Sequence, residues 1–94
     1  MANYKISESA KADLARIYLW GLRQFGEAQA DRYYDELFAC FERIGENPQR
    51  YPQTDLRQGY RRCVTRSDTI YYRITDGIAE IMAIIGQQDT SELL

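Results

Sequence analysis

The feature that most constrains the fold is a change of hydrophobic period part-way along the chain. From Leu14 to Ile44 apolar residues recur at spacings of three and four, and beyond the loop NPQRYPQTD they alternate. The first spacing lines one face of a helix, at about 3.6 residues per turn, and the second one face of a strand. Ser7 offers a hydroxyl N-cap, with Glu8 in the first turn where negative charge is favoured. Leu14, Ile17, Tyr18, Leu22 and Phe25 then form the first buried stripe, until Gly26 breaks it. A second helix begins with Glu27 and Asp31 near its N-terminus. It repeats Ala30, Tyr34, Leu37, Phe38, Phe41 and Ile44, and is expected to end at Gly45 before Asn47-Pro48. Two helices joined by so short a link fold back as an antiparallel hairpin, and their aromatic stripes read as core rather than a cofactor box. Asn3 to Ile6 suits an edge strand. Leu56–Val64, Asp68–Ile74 and Ile78–Ile85 read as three further strands, with Asp76-Gly77 as a tight turn between the last two. The expectation is one α+β domain over residues 1–94, ordered β-α-α-β-β-β. Its helix hairpin packs on one face of a mostly antiparallel four-stranded sheet.

The last strand, IAEIMAII, is apolar on both sides. Strict alternation puts Ala79, Ile81, Ala83 and Ile85 on one face and Ile78, Glu80, Met82 and Ile84 on the other. Small alanines suit close helix packing, so the first set is expected under the hairpin. That leaves Ile78, Met82 and Ile84 on a face for which the chain supplies no obvious cover. A strand apolar on both faces needs both buried, by a partner, by loops or by a second copy.

Charge and cysteine content narrow the classes. Twelve basic and 14 acidic residues leave a net charge of −2, so no global field draws the 94-residue chain to nucleic acid. No apolar run approaches the ~18 residues of a membrane span, and MANYKISESA lacks a signal peptide's apolar stretch. Cys40 and Cys63 have no metal-type spacing and read as free thiols of a cytoplasmic protein. No cofactor or metal is expected.

The set A-x-x-D-L-x-x-I, F-G-x-x-Q-A, N-P, G-Y-R-R and Y-Y-R, running over nearly the whole chain, resembles the ParE toxins of the RelE/ParE superfamily. These are the toxin half of bacterial type II toxin–antitoxin modules. The resemblance implies the fold read above and a ParD-like ribbon–helix–helix antitoxin whose C-terminal segment wraps the toxin. It also implies DNA gyrase as target, whereas RelE-like relatives cut mRNA in the ribosome. The chain departs from the family in two places. Ser67-Asp68 stands where Ser-His is frequent, and Ile85-Gly86-Gln87-Gln88-Asp89-Thr90 where Leu-His-x-x-Met-Asp is frequent. A RelE-like endoribonuclease and a degenerate toxin retaining only antitoxin binding are the alternative readings.

RNA cleavage needs a base for the attacking hydroxyl, an acid for the leaving oxygen and positive charge at the phosphate. The chain has no histidine, and its two lysines, Lys5 and Lys11, lie at its start. Arginine cannot serve as a base at neutral pH. Tyrosine is only about 0.1% phenolate at pH 7, a deficit of about 4 kcal/mol unless neighbouring arginines lower its pKa. Tyr71 and Arg73 share a strand face, which leaves that route open. The tail is acidic at Asp89 and Glu92 and would oppose an RNA backbone. No catalytic residue is assigned. Residues 57–73 carry +4, from five arginines and Asp68, and residues 74–94 carry −4. Internal ion pairing and partner anchoring both account for this. As an interface, Arg57, Tyr60, Arg61, Arg62, Tyr71, Arg73, Ile78, Met82 and Ile84 would hold an acidic, apolar antitoxin segment. Direct sequence-specific nucleic-acid binding is not expected.

Overall fold

The structure, a computed structural model, describes residues 3–86. Strand β1 (Tyr4–Ile6) leads into helix α1 (Glu8–Phe25) and helix α2 (Glu27–Glu46). Strands β2 (Tyr60–Val64), β3 (Asp68–Thr75) and β4 (Ile78–Gly86) follow. They form one sheet in the order β1-β4-β3-β2, with β1 parallel to β4 and the other neighbours antiparallel. The expected order of elements is the observed one. The acidic tail residues Asp89 and Glu92 lie outside the described residues.

Local chemistry sets the ends of these elements. The Ser7 hydroxyl accepts from the Ala10 N–H at 3.0 Å and donates to the Met82 carbonyl at 3.2 Å, so it starts α1 and ties it to β4. Gly26, at φ 87, turns the chain from α1 into α2 in a region that side chains disfavour. Asp76 and Gly77 both have positive φ, the requirement of a tight turn whose twist matches the flanking strands.

Beyond Ile6, where β1 stops, the side chains of α1 take over the edge of β4. Asp13 Oδ2 accepts from the Ile84 N–H at 2.9 Å, and Arg16 Nη2 donates to the Ile84 carbonyl at 3.2 Å. An acid and a base one helical turn apart thus do for β4 what a neighbouring strand would do. Between the layers Ala10, Leu14 and Ile17 of α1 meet Leu37, Phe41 and Ile44 of α2. The sheet contributes Cys63, Ile70, Tyr72, Ala79, Ile81 and Ile84. The Tyr72 hydroxyl, deep in this core, donates to the Pro48 carbonyl and so anchors the loop after α2.

Four expectations are corrected. Helix α2 does not stop at Gly45 but runs to Glu46. Gly45 is there for closeness: a Cβ on it would lie 2.8 Å from Asn3 Cβ and 3.0 Å from the Asn3 carbonyl oxygen. Strand β2 begins at Tyr60, not Leu56. The Tyr60 N–H bonds back to the Arg57 carbonyl across Gly59 at φ 84, a turn that forbids extended backbone there.

The strict alternation expected along β4 also fails. Tyr71 pairs with Ala83 and Tyr72 with Ile81, so Met82 is an inserted bulge residue. Past the bulge the faces exchange. Ile84, expected on the open face, is fully buried in the core, while Ala83 and Ile85 are half-buried opposite Tyr71 and Thr69. The fourth correction concerns α1, whose Phe25 was expected in the core and is 53% exposed.

Candidate partner-binding surface

The arginine-and-tyrosine cluster divides between internal work and free surface. Arg61 Nη1 donates to the Tyr51 carbonyl at 2.6 Å and the Gln49 carbonyl at 3.3 Å, pinning the loop before β2. It is a structural residue rather than a free anchor, because its cross-strand partner Tyr72 faces the core. Arg73 Nε pairs with Glu80 Oε1 at 2.9 Å across β3 and β4. The guanidinium beside Glu80 holds that carboxyl below its ordinary range. Tyr71, expected as an exposed anchor, is 5% exposed: it occupies the central strand β3, with Arg62 opposite on one side and Ala83 on the other.

Arg62 is exposed, with no side-chain partner among the described residues. Arg57 lies over the Tyr60 ring, 5.5 Å from its centroid. Ile78 is 40% exposed at the hairpin turn, and Met82 is half-buried in the bulge. The sequence-predicted set therefore leaves Arg57, Tyr60, Arg62, Ile78 and Met82 available to a partner. Ile84, Tyr71 and Arg61 are employed by the fold itself, and Arg73 is paired with Glu80.

A second surface was not anticipated. The last two turns of α1 expose Leu19, Trp20 and Phe25, each more than half accessible, and Trp20 meets Phe25 edge-on at 5.6 Å. Trp20 and Phe25 border a groove of about 660 Å³ that runs between the tip of the helix hairpin and the turn joining β2 to β3. Ile17, Gly21 and Ala30 lie on its helix side. Gly21 is buried there because a Cβ would already touch the Ala30 methyl at 3.4 Å, which lets α1 and α2 cross closely.

The opposite wall of the groove is polar. The Tyr33 hydroxyl donates to Asp68 Oδ2 at 2.6 Å and lies 3.0 Å from the Thr65 hydroxyl. Arg66 sits over the Tyr33 ring at 5.7 Å and reaches Glu36 at 3.1 Å. Tyr33 and Arg66 also border a second, smaller depression of about 360 Å³ beside Val64, itself 60% exposed at the end of β2. An apolar helix flank, two arginines (Arg16 and Arg66) and the outer edge of β2 thus form one continuous strip. The sequence signal for it was present: in IYLWGLRQF, residues 17–25, Leu19 and Trp20 lie off the stripe of Ile17 and Leu22 and make the end of α1 apolar on more than one face.

Four of the phenols are shifted away from proton transfer at neutral pH. Burial and donation to Asp68 push the Tyr33 phenol far up from its ordinary value. Burial raises Tyr72 to about 12, and the hydrogen bond to Asp31 raises Tyr18 to about 12. Burial also raises Tyr4. Each of these shifts moves phenolate further from neutral pH, opposite to what a general base requires. Arg73, the cation placed to activate Tyr71, is committed to Glu80. Among the described residues no three His, Cys, Asp or Glu side chains converge as a metal site.

The family model for the ParE toxin of type II toxin–antitoxin systems, parDE, matches residues 4–90. The chain belongs to the ParE toxin family. It is 39% identical over 88 residues to Toxin ParE1 of Caulobacter vibrioides, covering 93% of this chain and 91% of that one. It is 30% identical over 89 residues to Toxin ParE1 of Mycobacterium tuberculosis, with the same coverage. A solved chain from the chromosomal ParDE TA system from P. aeruginosa shares the fold at a TM-score of 0.81. The match covers 92% of this chain and 96% of that one, at 18% sequence identity. In this ParE toxin, Asp68 is 7% exposed, is held by Tyr33 and forms part of the wall of the groove. No helix among the described residues is long and apolar enough to cross a membrane.

Proposed function

We propose that this ParE toxin is held inactive in the cytoplasm by a ParD-like ribbon–helix–helix antitoxin. Its C-terminal segment would lie along the strip from Trp20 and Phe25, past Arg66, to the outer edge of β2. The carrying observation is the exposure of Trp20 and Phe25 along a groove that shares Tyr33 and Arg66 with the depression beside Val64. Such a segment would bring apolar side chains to Trp20 and Phe25 and carboxylates toward Arg66. Trp, Tyr and Arg are the residue types that most often dominate binding energy at protein interfaces.

Calorimetry against the cognate antitoxin tests the placement. Trp20→Ala should cost at least about 2 kcal/mol, or about thirtyfold in affinity, as truncation of a hot-spot tryptophan does. If Trp20→Ala binds with unchanged affinity and Met82→Asp does not, the segment instead lies on the outer sheet face with Arg57, Tyr60, Arg62 and Ile78.

The toxic action proposed is inhibition of DNA gyrase by binding, without catalysis by this chain. The supports are the family resemblance, the absence of histidine and the raised tyrosines. A supercoiling assay should show inhibition that rises with toxin concentration and is reversed by the antitoxin. Absence of inhibition at large excess, together with toxin-dependent mRNA cleavage in translating ribosomes, would replace this reading with the endoribonuclease one.

A further inference from the structure

Strand β4 leaves the sheet beside the helix flank that the fold does not cover. The Ser7 hydroxyl at the start of α1 donates to the Met82 carbonyl, and Asp13 and Arg16, further along α1, bond the N–H and the carbonyl of Ile84. Helix and strand therefore advance in the same direction, and a chain continuing past Gly86 heads toward the C-terminal end of α1. Gly86 itself lines the 660 Å³ groove, together with Arg16, Trp20, Phe25 and Arg66. Residues 87–94, which lie outside the described residues, read QQDTSELL: two carboxylates, no basic residue, and then a pair of leucines.

We propose that residues 87–94 dock in this groove of their own chain, with Asp89 and Glu92 toward Arg16 and Arg66, and Leu93 and Leu94 against Trp20 and Phe25. The reach suffices. Nine residues of α1 lead from Arg16 to Phe25, about 13 Å at about 1.5 Å per residue. The eight residues past Gly86 span up to about 26 Å when extended, at about 3.3 Å each, so the segment covers that flank with slack for a turn.

Charge and direction select this groove over the other bare surface. Arg16 and Arg66 each touch an acid, Asp13 and Glu36 respectively, yet both guanidinium side chains stay more than half exposed. The carboxylate in the groove's own lining, Asp68, is buried and engaged by Tyr33, so the exposed ionised groups of that lining are the two arginines. Trp20 and Phe25 supply the apolar area that a leucine pair can cover. The outer sheet face also sets arginine beside apolar side chains, but Ile78 stands at the opposite end of β4, about 26 Å of strand from Gly86. Residues 87–94 would use their whole length to return there. The docking does not depend on where an antitoxin lies, although a ParD-like segment entering the same groove would have to displace it.

Trp20 is the one tryptophan of the sequence, so the fluorescence of the full chain reports on this groove. The neutral quencher acrylamide should quench it about twofold more strongly in Leu93→Ser/Leu94→Ser than in the parent, because the variant no longer covers the indole. Asp89→Lys/Glu92→Lys should show the same rise, and both variants should keep the parent's circular dichroism spectrum. In the isotope-labelled parent, nuclear Overhauser effects should join the Trp20 indole to the Leu93 and Leu94 methyls within one chain. The proposal is overturned if either variant is quenched no more than the parent, or if those methyls instead contact Ile78 or Met82. It is equally overturned if the contacts join differently labelled copies. These measurements use the chain alone, so their failure would leave the antitoxin's placement to the Trp20→Ala calorimetry.

Discussion

Replacing Ile84 and Ile85 by alanine, one at a time, tests the bulge at Met82 and with it the assignment of the sheet faces. Strict alternation from Ala79 would bury Ile85 under the helices and leave Ile84 outside. The register past Met82 does the reverse, with Ile84 fully buried and Ile85 half-buried opposite Thr69. Ile→Ala removes three carbon groups, worth about 2.4 kcal/mol at about 0.8 kcal/mol each. Ile84 packs within the central cluster, where the surroundings collapse only partly, so a cavity contribution raises the loss to about 3–4 kcal/mol. For Ile85 the loss should be about 1 kcal/mol, since part of that side chain already meets solvent. Against a total stability of about 5–15 kcal/mol, the first change removes a large share and the second does not. Urea denaturation followed by circular dichroism reads both, and the melting temperature should drop by about 12–25 °C for Ile84→Ala. Equal losses, or a larger loss for Ile85→Ala, would refute the bulge and return both residues to the simple alternating pattern.

Three further outcomes are expected. Gly45→Ala should destabilise the protein, although alanine gains about 1 kcal/mol of helix propensity over glycine, because its Cβ would meet the Asn3 backbone; a raised melting temperature would show that β1 can move aside. Asp13→Ala should cost about 1–3 kcal/mol by orphaning the Ile84 N–H, and Asp13→Asn less, measured by the same denaturation. The Glu80 carboxyl lies below its ordinary value beside Arg73, so its stabilisation is present above the unfolded value of about 4.3 and is lost as pH falls through the folded value. Glu80→Gln should therefore melt at a temperature that converges with the parent's in acid and differs slightly but constantly above about pH 5, and a gap that widens toward alkaline pH would contradict that assignment.

Most of the architecture was legible because it rests on local signals. Ser7, Gly26 and Asp76-Gly77 fix chain direction by backbone chemistry that no distant contact alters, and the change of hydrophobic period identifies which elements are helices and which strands. What was missed depends on contacts between distant residues. The bulge at Met82 arises where β4 exchanges its neighbour β1 for the Asp13 and Arg16 side chains of α1, a coincidence that IAEIMAII does not encode by itself. Gly45 reads as a helix stop unless Asn3 is known to lie against it. The arginine cluster was visible as charge, but its division was not. Arg61 is consumed by two loop carbonyls and Arg73 by Glu80, while Arg62 remains free among the described residues. The groove beside Trp20 and Phe25 was hidden because a helical stripe and a docking flank have the same composition. Only the position of the sheet decides which aromatic residues it covers.

The most direct measurement is hydrogen–deuterium exchange of the full chain, alone and with its cognate antitoxin. Protection should appear in the last turns of α1, around Leu19 to Phe25, and along Tyr60 to Ser67, with smaller changes at Ile78 to Met82. Protection confined to the Ile78–Met82 stretch, with the end of α1 exchanging as freely in the complex as alone, would contradict the placement of the partner along the groove.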